Sequence, residues 1–418
     1  TSEQIAEAAC KLIKVEYEPL PYVLDPEEAY KEDCPAIVHD DVQSYKRLDL
    51  HGVAHSFDRK HPNQAIKRRV RHCDQFGLNP DDYATPEEYD AAFGAKFDEV
   101  YENAYLKLPE QRYEFPRVSH CFMEPHVTVV EPLTDGGIEV WASEQGGRLV
   151  KYSMSAAFGL KPSDFHMHVP FMGGGFGGKL DVFAHELCPC LFSKMTGHPV
   201  KCILKRDEVF MCTRTRHPIS FEIESAFTKE GKLLAKRCKH ILDGGAYGGS
   251  GIAANTLSLI CATFPYKVEN IDMTARRPYT NHPASGAMRG YSACQVHFAH
   301  EIHMDEVANS LGLDPLELRR ENEITPYYTG PTGLEFTSCK FDECLTAVAD
   351  YIDWEHRDRY PLGSGEGVGL SGSGFMSGTG FPVLVTPHYC SSTTLVRLNR
   401  EGYAVVFSGA NDIGQGCE

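Results

Sequence analysis

Long apolar runs, an excess of basic residues and regularly spaced cysteines are all missing from this sequence of 418 residues. No run approaches the roughly 18 apolar residues of a membrane-spanning helix, so the chain is predicted to have no membrane span. Lysine and arginine number 41 against 58 aspartates and glutamates, and a net charge of -17 argues against a basic face for nucleic acid. The fifteen cysteines lack the spacing of a disulfide scaffold, which predicts free thiols and a cytoplasmic location.

Glycine, by contrast, is concentrated in one short loop. Gly173 to Gly178 contains five glycines and a single aromatic residue, Phe176. Such a backbone can approach a phosphate or an oxo group closely, so the loop is predicted to cradle a cofactor. With Lys179 the stretch also fits the G-x-x-x-x-G-K pattern of nucleotide hydrolases. Leu180 follows where that pattern needs the hydroxyl of Ser or Thr for magnesium, which disfavours a phosphate loop. A plain turn between a strand and a helix is the other alternative.

Four more glycine-rich clusters follow, and they are predicted to converge on the same extended ligand. Short β-rich runs alternate with helical patterns from about residue 96, so the fold class is predicted to be mixed α/β. A helix is predicted to begin at Ser2, a strand is predicted over Lys14–Pro21, and a further helix is predicted to begin at Thr85. The clusters lie at residues 243–249, 285–291, 372–378 and 409–416.

Five motifs, in this order along the chain, carry a resemblance to a known family: SEQGG, GGGFGGK, SGAMRGYSACQ, DEVANSLGLDPLELRRENEI and GANDIGQG. With these motifs the chain resembles the large, molybdopterin-binding subunit of the molybdenum hydroxylases, the xanthine dehydrogenase and aldehyde oxidase group. The resemblance covers most of residues 96–418. It implies the α/β fold of that large subunit and an oxidoreductase activity that depends on molybdenum.

The resemblance also implies an order of domains. Residues 1–25 are expected to be the C-terminal end of a hammerhead-like domain, and residues 26–95 an irregular insertion or linker. Residues 96–345 are expected to form a complete first molybdopterin-binding domain, and residues 346–418 the truncated start of a second one. Because a single hairpin cannot bury a core, the remainder of the second domain is expected to lie on another polypeptide or to have been lost.

Functional residues of the family can be carried over position by position. Gln145 matches the glutamine whose amide hydrogen-bonds the molybdenum oxo group, and Gly175 and Phe176 match the loop whose N–H groups face the metal ligands and the pterin. Arg289 matches the arginine at the pterin and the metal. Gln145, Phe176 and Arg289 are therefore expected to be catalytic, while the pterin dithiolene holds the molybdenum with no direct protein ligand. The expected cofactor-binding residues are Gln145, Gly174, Gly175, Phe176, Gly177, Arg289, Ile413, Gly414 and Gln415.

Three positions of the expected substrate pocket bear on the reaction. Leu180 and Leu257 replace the glutamate and the arginine of purine-oxidising relatives, and Tyr291 takes the place of an aromatic residue that stacks on the substrate. We therefore expect an aromatic, N-heterocyclic or aldehyde substrate, with water as the oxygen source. The glycine-rich motifs look most like the branch that contains 4-hydroxybenzoyl-CoA reductase, so reductive dehydroxylation is an alternative reaction. Glu124 in the motif CFMEPH is expected to form hydrogen bonds rather than to catalyse.

The resemblance further implies cofactors and partners. The molybdopterin is expected in its cytosine dinucleotide form, and iron–sulfur clusters and FAD are expected on partner subunits or domains. The family's general-base glutamate lies beyond the last motif, so the chain that carries the rest of the second domain is expected to supply it. No nucleic-acid or membrane partner is expected. A non-catalytic scaffold subunit and a nucleotide hydrolase that uses Gly173–Lys179 are the alternative functions.

Overall fold

The computed structural model describes residues 2–40, 61–73, 78–360, 363–376, 393–409 and 412–416. Residues 377 and 378 of one predicted glycine-rich cluster and residues 410 and 411 of another lie outside these ranges. Among the helices in these ranges, none combines the length and the apolar character needed to cross a membrane.

Helices and strands alternate along most of the described chain. The α-helices are α1 Glu3–Cys10, α2 Pro26–Tyr30, α3 Pro86–Glu102, α4 Gly147–Phe158, α5 Ala184–Thr196, α6 Arg206–Cys212, α7 Gly251–Cys261, α8 Ala293–Leu311, α9 Pro315–Glu321 and α10 Phe341–Ile352. The strands are β1 Gln64–Cys73, β2 Leu106–Phe115, β3 Val127–Pro132, β4 Ile138–Ala142, β5 Phe165–His168, β6 Val200–Ile203, β7 Thr215–Arg216, β8 Ile219–Phe227, β9 Leu233–Leu242, β10 Asn270–Pro278, β11 Ser285–Gly286, β12 Tyr328–Thr329, β13 Glu335–Phe336, β14 Leu395–Leu398 and β15 Ala404–Phe407.

Two sheets form the framework of the fold. The larger has the strand order β1-β10-β9-β8-β2, in which β9 and β10 run parallel and the other neighbours run antiparallel. The smaller has the order β5-β4-β3-β6, in which only β4 and β5 run parallel. Both sheets pack against helices, so the predicted mixed α/β class is confirmed.

Each sheet buries its own apolar core. Residues of β8, β9 and β10 pack with α7 and α8 in the larger unit, where Phe221, Ile271 and Val296 are fully buried. The smaller sheet packs against α4 and α5, with Val140 and Met154 at its centre. Loops at the ends of the smaller sheet meet the segment that leads into α8, and this junction holds the candidate site.

Residues 64–73, which were expected to belong to an irregular insertion, form the ten-residue edge strand β1. The strand pairs antiparallel with β10. Its basic sequence is not typical of a strand, but its charges are paired in the fold. The Nε and Nη2 atoms of Arg69 donate to the two carboxylate oxygens of Asp272 at 2.8 and 2.7 Å. Arg71 also contacts Asp272. The prediction of an irregular segment is therefore wrong for these residues.

The start of the chain gives one confirmed and one wrong prediction. Helix α1 is present, and the side-chain oxygen of Ser2 accepts a hydrogen bond from the N–H of Ile5 at 3.4 Å. Lys14–Pro21 is not a strand. The segment is exposed along its whole length and has no strand beside it in the described chain, so its backbone has no ladder to join.

Candidate functional site

The glycine-rich loop connects β5 to α5 and is sharply curved. Gly174, Phe176 and Gly177 all adopt positive φ, of 90°, 52° and 97°. A Cβ atom on Gly177 would lie 2.6 Å from the carbonyl oxygen of Ala287, which is closer than any side chain tolerates. Glycine at this position therefore lets the loop pack directly against the segment that precedes α8.

Gln145, in the turn between β4 and α4, holds the loop from its other side. Its Oε1 atom accepts hydrogen bonds from the N–H groups of Gly177 at 2.7 Å and Lys179 at 3.2 Å. A Cβ on Gly175 would lie 2.5 Å from that same oxygen. Oε1 is therefore occupied by the loop. The donor atom of the same amide, Nε2, has no acceptor among the described residues.

Three consecutive amides of the loop are also unused. The N–H groups of Gly174, Gly175 and Phe176 donate to no acceptor within the described ranges. The next two amides are used: that of Gly177 donates to Gln145, and that of Gly178 donates to the carbonyl of Gly175 at 2.8 Å. A run of backbone donors in a tight turn forms a concave site for an anion or an oxo group.

Two distant segments meet this loop. The N–H of Arg289 donates to the carbonyl of Phe176 at 2.9 Å, and the carbonyl of Arg289 accepts from Nη2 of Arg216 at 2.6 Å. The guanidinium group of Arg289 is exposed and has no partner in the described part of the chain. Gly414 also lies against the loop, because a Cβ placed on it would be 3.4 Å from the backbone nitrogen of Gly174.

Gly414 belongs to a turn that is stabilised by its own side chains. Oδ1 of Asp412 accepts from the N–H of Gly414 at 2.7 Å, and Oε1 of Gln415 accepts from the N–H of Ile413 at 2.7 Å. The structure thus brings together Gln145, the loop, Arg289 and the turn that contains Ile413, Gly414 and Gln415.

Of the three residues expected in the substrate pocket, the structure connects Leu180 and Tyr291 but not Leu257. Leu180 is half-buried at the end of the loop. The hydroxyl of Tyr291 donates to the carbonyl of Ser250, and Ser250 donates through its N–H and Oγ to Asp181 at 3.0 and 2.9 Å. Burial raises the pKa of Tyr291 to about 12. Tyr291 is therefore linked to the neighbour of Leu180, whereas Leu257 is buried in α7.

An ion pair below the loop determines the role of Lys179, the lysine of the G-x-x-x-x-G-K pattern. Lys179 is fully buried, and its Nζ donates to Oε2 of Glu124 at 2.7 Å and to Oγ of Ser143 at 2.6 Å. Burial lowers the pKa of Lys179. Burial would raise the pKa of Glu124, but the hydrogen bonds from Lys179 and Ser143 outweigh it and lower that pKa. Lys179 is thus committed to the interior, and Glu124 forms hydrogen bonds as expected.

Sequence reasoning missed a buried acidic pair directly behind Gln145. Glu144 and Glu186 are each only 1% exposed, and His185 contacts Glu186. Burial and the charge of Glu186 raise the pKa of Glu144 well above its ordinary range. Glu144 is therefore harder to ionise than a solvent-exposed glutamate. The only signal was the position of Glu144 in the motif SEQGG, since its partner comes from the start of α5.

Comparison with known proteins decides between the functions that this geometry allows. Residues 80–323, more than half of the chain, match the family described as the molybdopterin cofactor-binding domain. The chain belongs to the molybdenum hydroxylase family. Its membership confirms the resemblance and places the glycine loop, Gln145 and Arg289 inside the matched domain.

Relatives within the molybdenum hydroxylase family are longer than this chain. The xanthine dehydrogenase molybdenum-binding subunit of Escherichia coli O157:H7 is 28% identical, over 100% of this chain and 50% of its own length. The nicotinate dehydrogenase large molybdopterin subunit of Eubacterium barkeri is 30% identical, over 75% of this chain and 64% of its own length. The structure of quinoline 2-oxidoreductase from Pseudomonas putida 86 shares the fold, with a TM-score of 0.79 and 24% identity over 99% of this chain and 49% of its own. This chain spans less than two thirds of each.

The site fits the molybdenum cofactor of this family. Gly175 lets the side chain of Gln145 pack against the loop, because a Cβ there would lie 2.5 Å from Gln145 Oε1. The amides of Gly174 to Phe176 are free donors in the described chain, and Arg289 is exposed. An oxo group, a pterin and a phosphate all need donors of this kind.

Proposed function

We propose that this chain forms the molybdopterin-binding part of the active site of a molybdenum hydroxylase or dehydrogenase. The observation that carries the proposal is that Gln145, Gly174–Phe176 and Arg289 meet at the loop and keep donors without a partner among the described residues. When bound, the cofactor supplies a molybdenum centre that accepts electrons from the substrate.

Each donor is proposed to hold a different part of the cofactor. Nε2 of Gln145 donates to the oxo group, because its oxygen is already fixed by Gly177 and Lys179. A neutral amide stabilises an oxo ligand without protonating it. The amides of Gly175 and Phe176 line the same face, and Arg289 offers a planar, permanently charged fork to the pterin side. The turn of Ile413, Gly414 and Gln415 closes the opposite side of the cradle.

The substrate is proposed to be an aromatic, N-heterocyclic or aldehyde compound rather than a purine. Leu180 offers only an apolar side chain beside the loop, and Leu257 is buried in α7, so neither can hydrogen-bond a purine. Tyr291 supplies a ring close to Leu180 through Ser250 and Asp181. An N-heterocyclic ring is favoured within this class because relatives are named nicotinate dehydrogenase and nicotine 6-hydroxylase.

The remaining parts of the enzyme are proposed to lie outside this chain, which covers about half the length of its relatives. The general-base glutamate, the iron–sulfur clusters and FAD belong to those parts in this proposal. The pterin is proposed to be the cytosine dinucleotide, and the protein is proposed to be cytoplasmic.

The native assembly, purified with all its subunits, tests the proposal. We expect molybdenum in the preparation, reduction of an artificial electron acceptor with nicotinate or quinoline but not with xanthine, and incorporation of oxygen from labelled water into the product. Loss of a ring hydroxyl from a hydroxylated substrate, with no oxygen incorporated, would instead identify the reductive reaction. An assembly that contains no molybdenum would contradict the proposal and leave a scaffold role.

A further inference from the structure

A second cluster of metal-binding side chains lies in the core of the larger sheet. Cys238 and His240 are two residues apart on β9 and so project from the same face of the strand, and His300 lies on α8. All three are buried, with exposures of 1%, 0% and 8%. One donor atom from each lies within 4.8 Å of the other two. None of the three belongs to the cofactor cradle described above.

Hydrogen bonding around His240 fixes its tautomer. Oγ of Ser258 donates its single proton to the carbonyl of Asn255 at 2.7 Å. The contact of 3.1 Å between Ser258 Oγ and Nδ1 of His240 must therefore be donated by the imidazole. Nε2 of His240 then carries a lone pair in the protein core, and no donor among the described residues reaches it.

His300, whose ring lies beside that of His240, also has an unpartnered ring nitrogen. Its Nε2 is buried and has no hydrogen-bond partner in the described chain. Buried ring nitrogens are normally satisfied, and leaving two of them unpaired side by side is costly. The neighbouring His303 shows the ordinary arrangement, because Ser225 Oγ and Tyr113 OH contact its two nitrogens at 2.6 and 3.1 Å.

We propose that Cys238, His240 and His300 bind one transition metal ion, and that zinc(II) matches this donor set. Zinc takes thiolate and neutral imidazole ligands, whereas magnesium and calcium require oxygen ligands. The ion binds Nε2 of His240, a ring nitrogen of His300 and the thiolate of Cys238, whose proton is released to solvent on binding. Three protein ligands leave the fourth tetrahedral position to a water molecule.

Lys236 is the charged group that faces this cluster. Its Nζ donates to the carbonyl of Ala262 at 2.7 Å and lies 3.3 Å from Nδ1 of His300. Lys236 therefore contacts the ring of His300 from outside the cluster. Without a metal, Nε2 of His240 and Nε2 of His300 both stay without a hydrogen-bond partner among the described residues.

Metal binding by the full chain tests this proposal. The purified protein is stripped with a chelator and titrated with zinc, and separately with cobalt(II), whose spectrum reports thiolate ligation without any substitution. We expect stoichiometric zinc and a cobalt–thiolate charge-transfer band. A protein with no such band does not hold the ion through Cys238, and the proposal is overturned.

Matched substitutions locate the bound ion. Cys238→Ser and His240→Gln are expected to weaken zinc binding by at least about tenfold, because each removes a ligand. Cys261→Ser and His303→Gln alter equally buried residues outside the cluster and should retain the zinc. Equal zinc affinity in Cys238→Ser and Cys261→Ser would place the ion at other cysteines and contradict the assignment.

Discussion

At the scale of single residues, the oxygen and the nitrogen of the Gln145 side-chain amide have different roles. Its oxygen organises the loop by accepting from Gly177 and Lys179, and its nitrogen remains as the free donor. The same side chain therefore shapes the cradle and is proposed to contact the oxo group, so these two contributions can be separated by substitution.

Gln145→Glu keeps an oxygen acceptor for the loop but removes the donor. We expect kcat of the native assembly to fall by about 10²–10³-fold, since this is the usual loss for one positioned donor, while molybdenum is retained. Steady-state kinetics with the preferred substrate measures the effect. Gln111→Glu, on the strand β2, is the matched control. An unchanged kcat in Gln145→Glu would show that the donor does not act on the reacting centre.

How far the site could be predicted from the sequence depended on whether its contacts were local. Gln145, Gly175 and Arg289 lie in short recognisable motifs, and the structure brings them together. The partners of Lys179 could not be predicted, because Glu124 and Ser143 reach it only through packing of β3, β4 and the loop. The same holds for Glu144 and Glu186, whose proximity arises from the placement of α5.

At the scale of elements, β1 is held to the larger sheet by charge as well as by its ladder. Asp272 on β10 is 6% exposed and accepts hydrogen bonds from Arg69 through both carboxylate oxygens. Burial would raise the pKa of Asp272, but the hydrogen bonds and the charge of Arg69 lower it instead. The carboxylate therefore stays ionised opposite β1.

Asp272→Asn is expected to lower the free energy of unfolding by about 1–3 kcal/mol, which allows for the partial exposure of Arg69. Urea denaturation measures the change. Asp98→Asn removes a carboxylate that is 62% exposed and pairs with Arg237, so it should cost only a few tenths of a kcal/mol. Equal losses of unfolding free energy in Asp272→Asn and Asp98→Asn would mean that the ion pair between Arg69 and Asp272 does not stabilise β1.

Element boundaries show which local signals sufficed. Thr85 caps α3 as predicted, because its Oγ1 accepts from the N–H of Glu88 at 3.2 Å. The strand β1 was missed because its arginines are neutralised by Asp272, which lies far away in the sequence. Here a tertiary partner displaced the local preference.

At the scale of the whole molecule, buried histidines tie stability to pH. Burial lowers the pKa of His120 to about 4 and that of His126 to about 3, against an ordinary value of 6.5. Both are neutral in the fold and take up protons on unfolding below pH 6.5, so the stability they contribute is complete above that pH and falls as pH decreases. Glu144 and Glu301 have raised pKa values, so the stability that they contribute increases as pH decreases.

A single substitution isolates one histidine from these opposing groups. His126→Asn should reduce the slope of unfolding free energy against pH by up to about 1.4 kcal/mol per pH unit between about pH 6 and about pH 4. Denaturation curves at several pH values give the slope, with His198→Asn at an exposed position as the matched control. An identical slope in the wild type and in His126→Asn would show that His126 is already protonated in the fold.

The central claim is that the glycine loop is the cradle of a molybdenum pterin. Molybdenum and oxidised-pterin content, measured per chain in native assemblies of the wild type, Gly175→Ala and Gly94→Ala, tests it most directly. A Cβ at Gly175 would lie 2.5 Å from Gln145 Oε1, whereas one at Gly94 would meet nothing within 4 Å. We predict stoichiometric molybdenum and pterin in the wild type and in Gly94→Ala, and a strong loss of both in Gly175→Ala. Wild-type protein without molybdenum, or full occupancy in Gly175→Ala, would contradict the account.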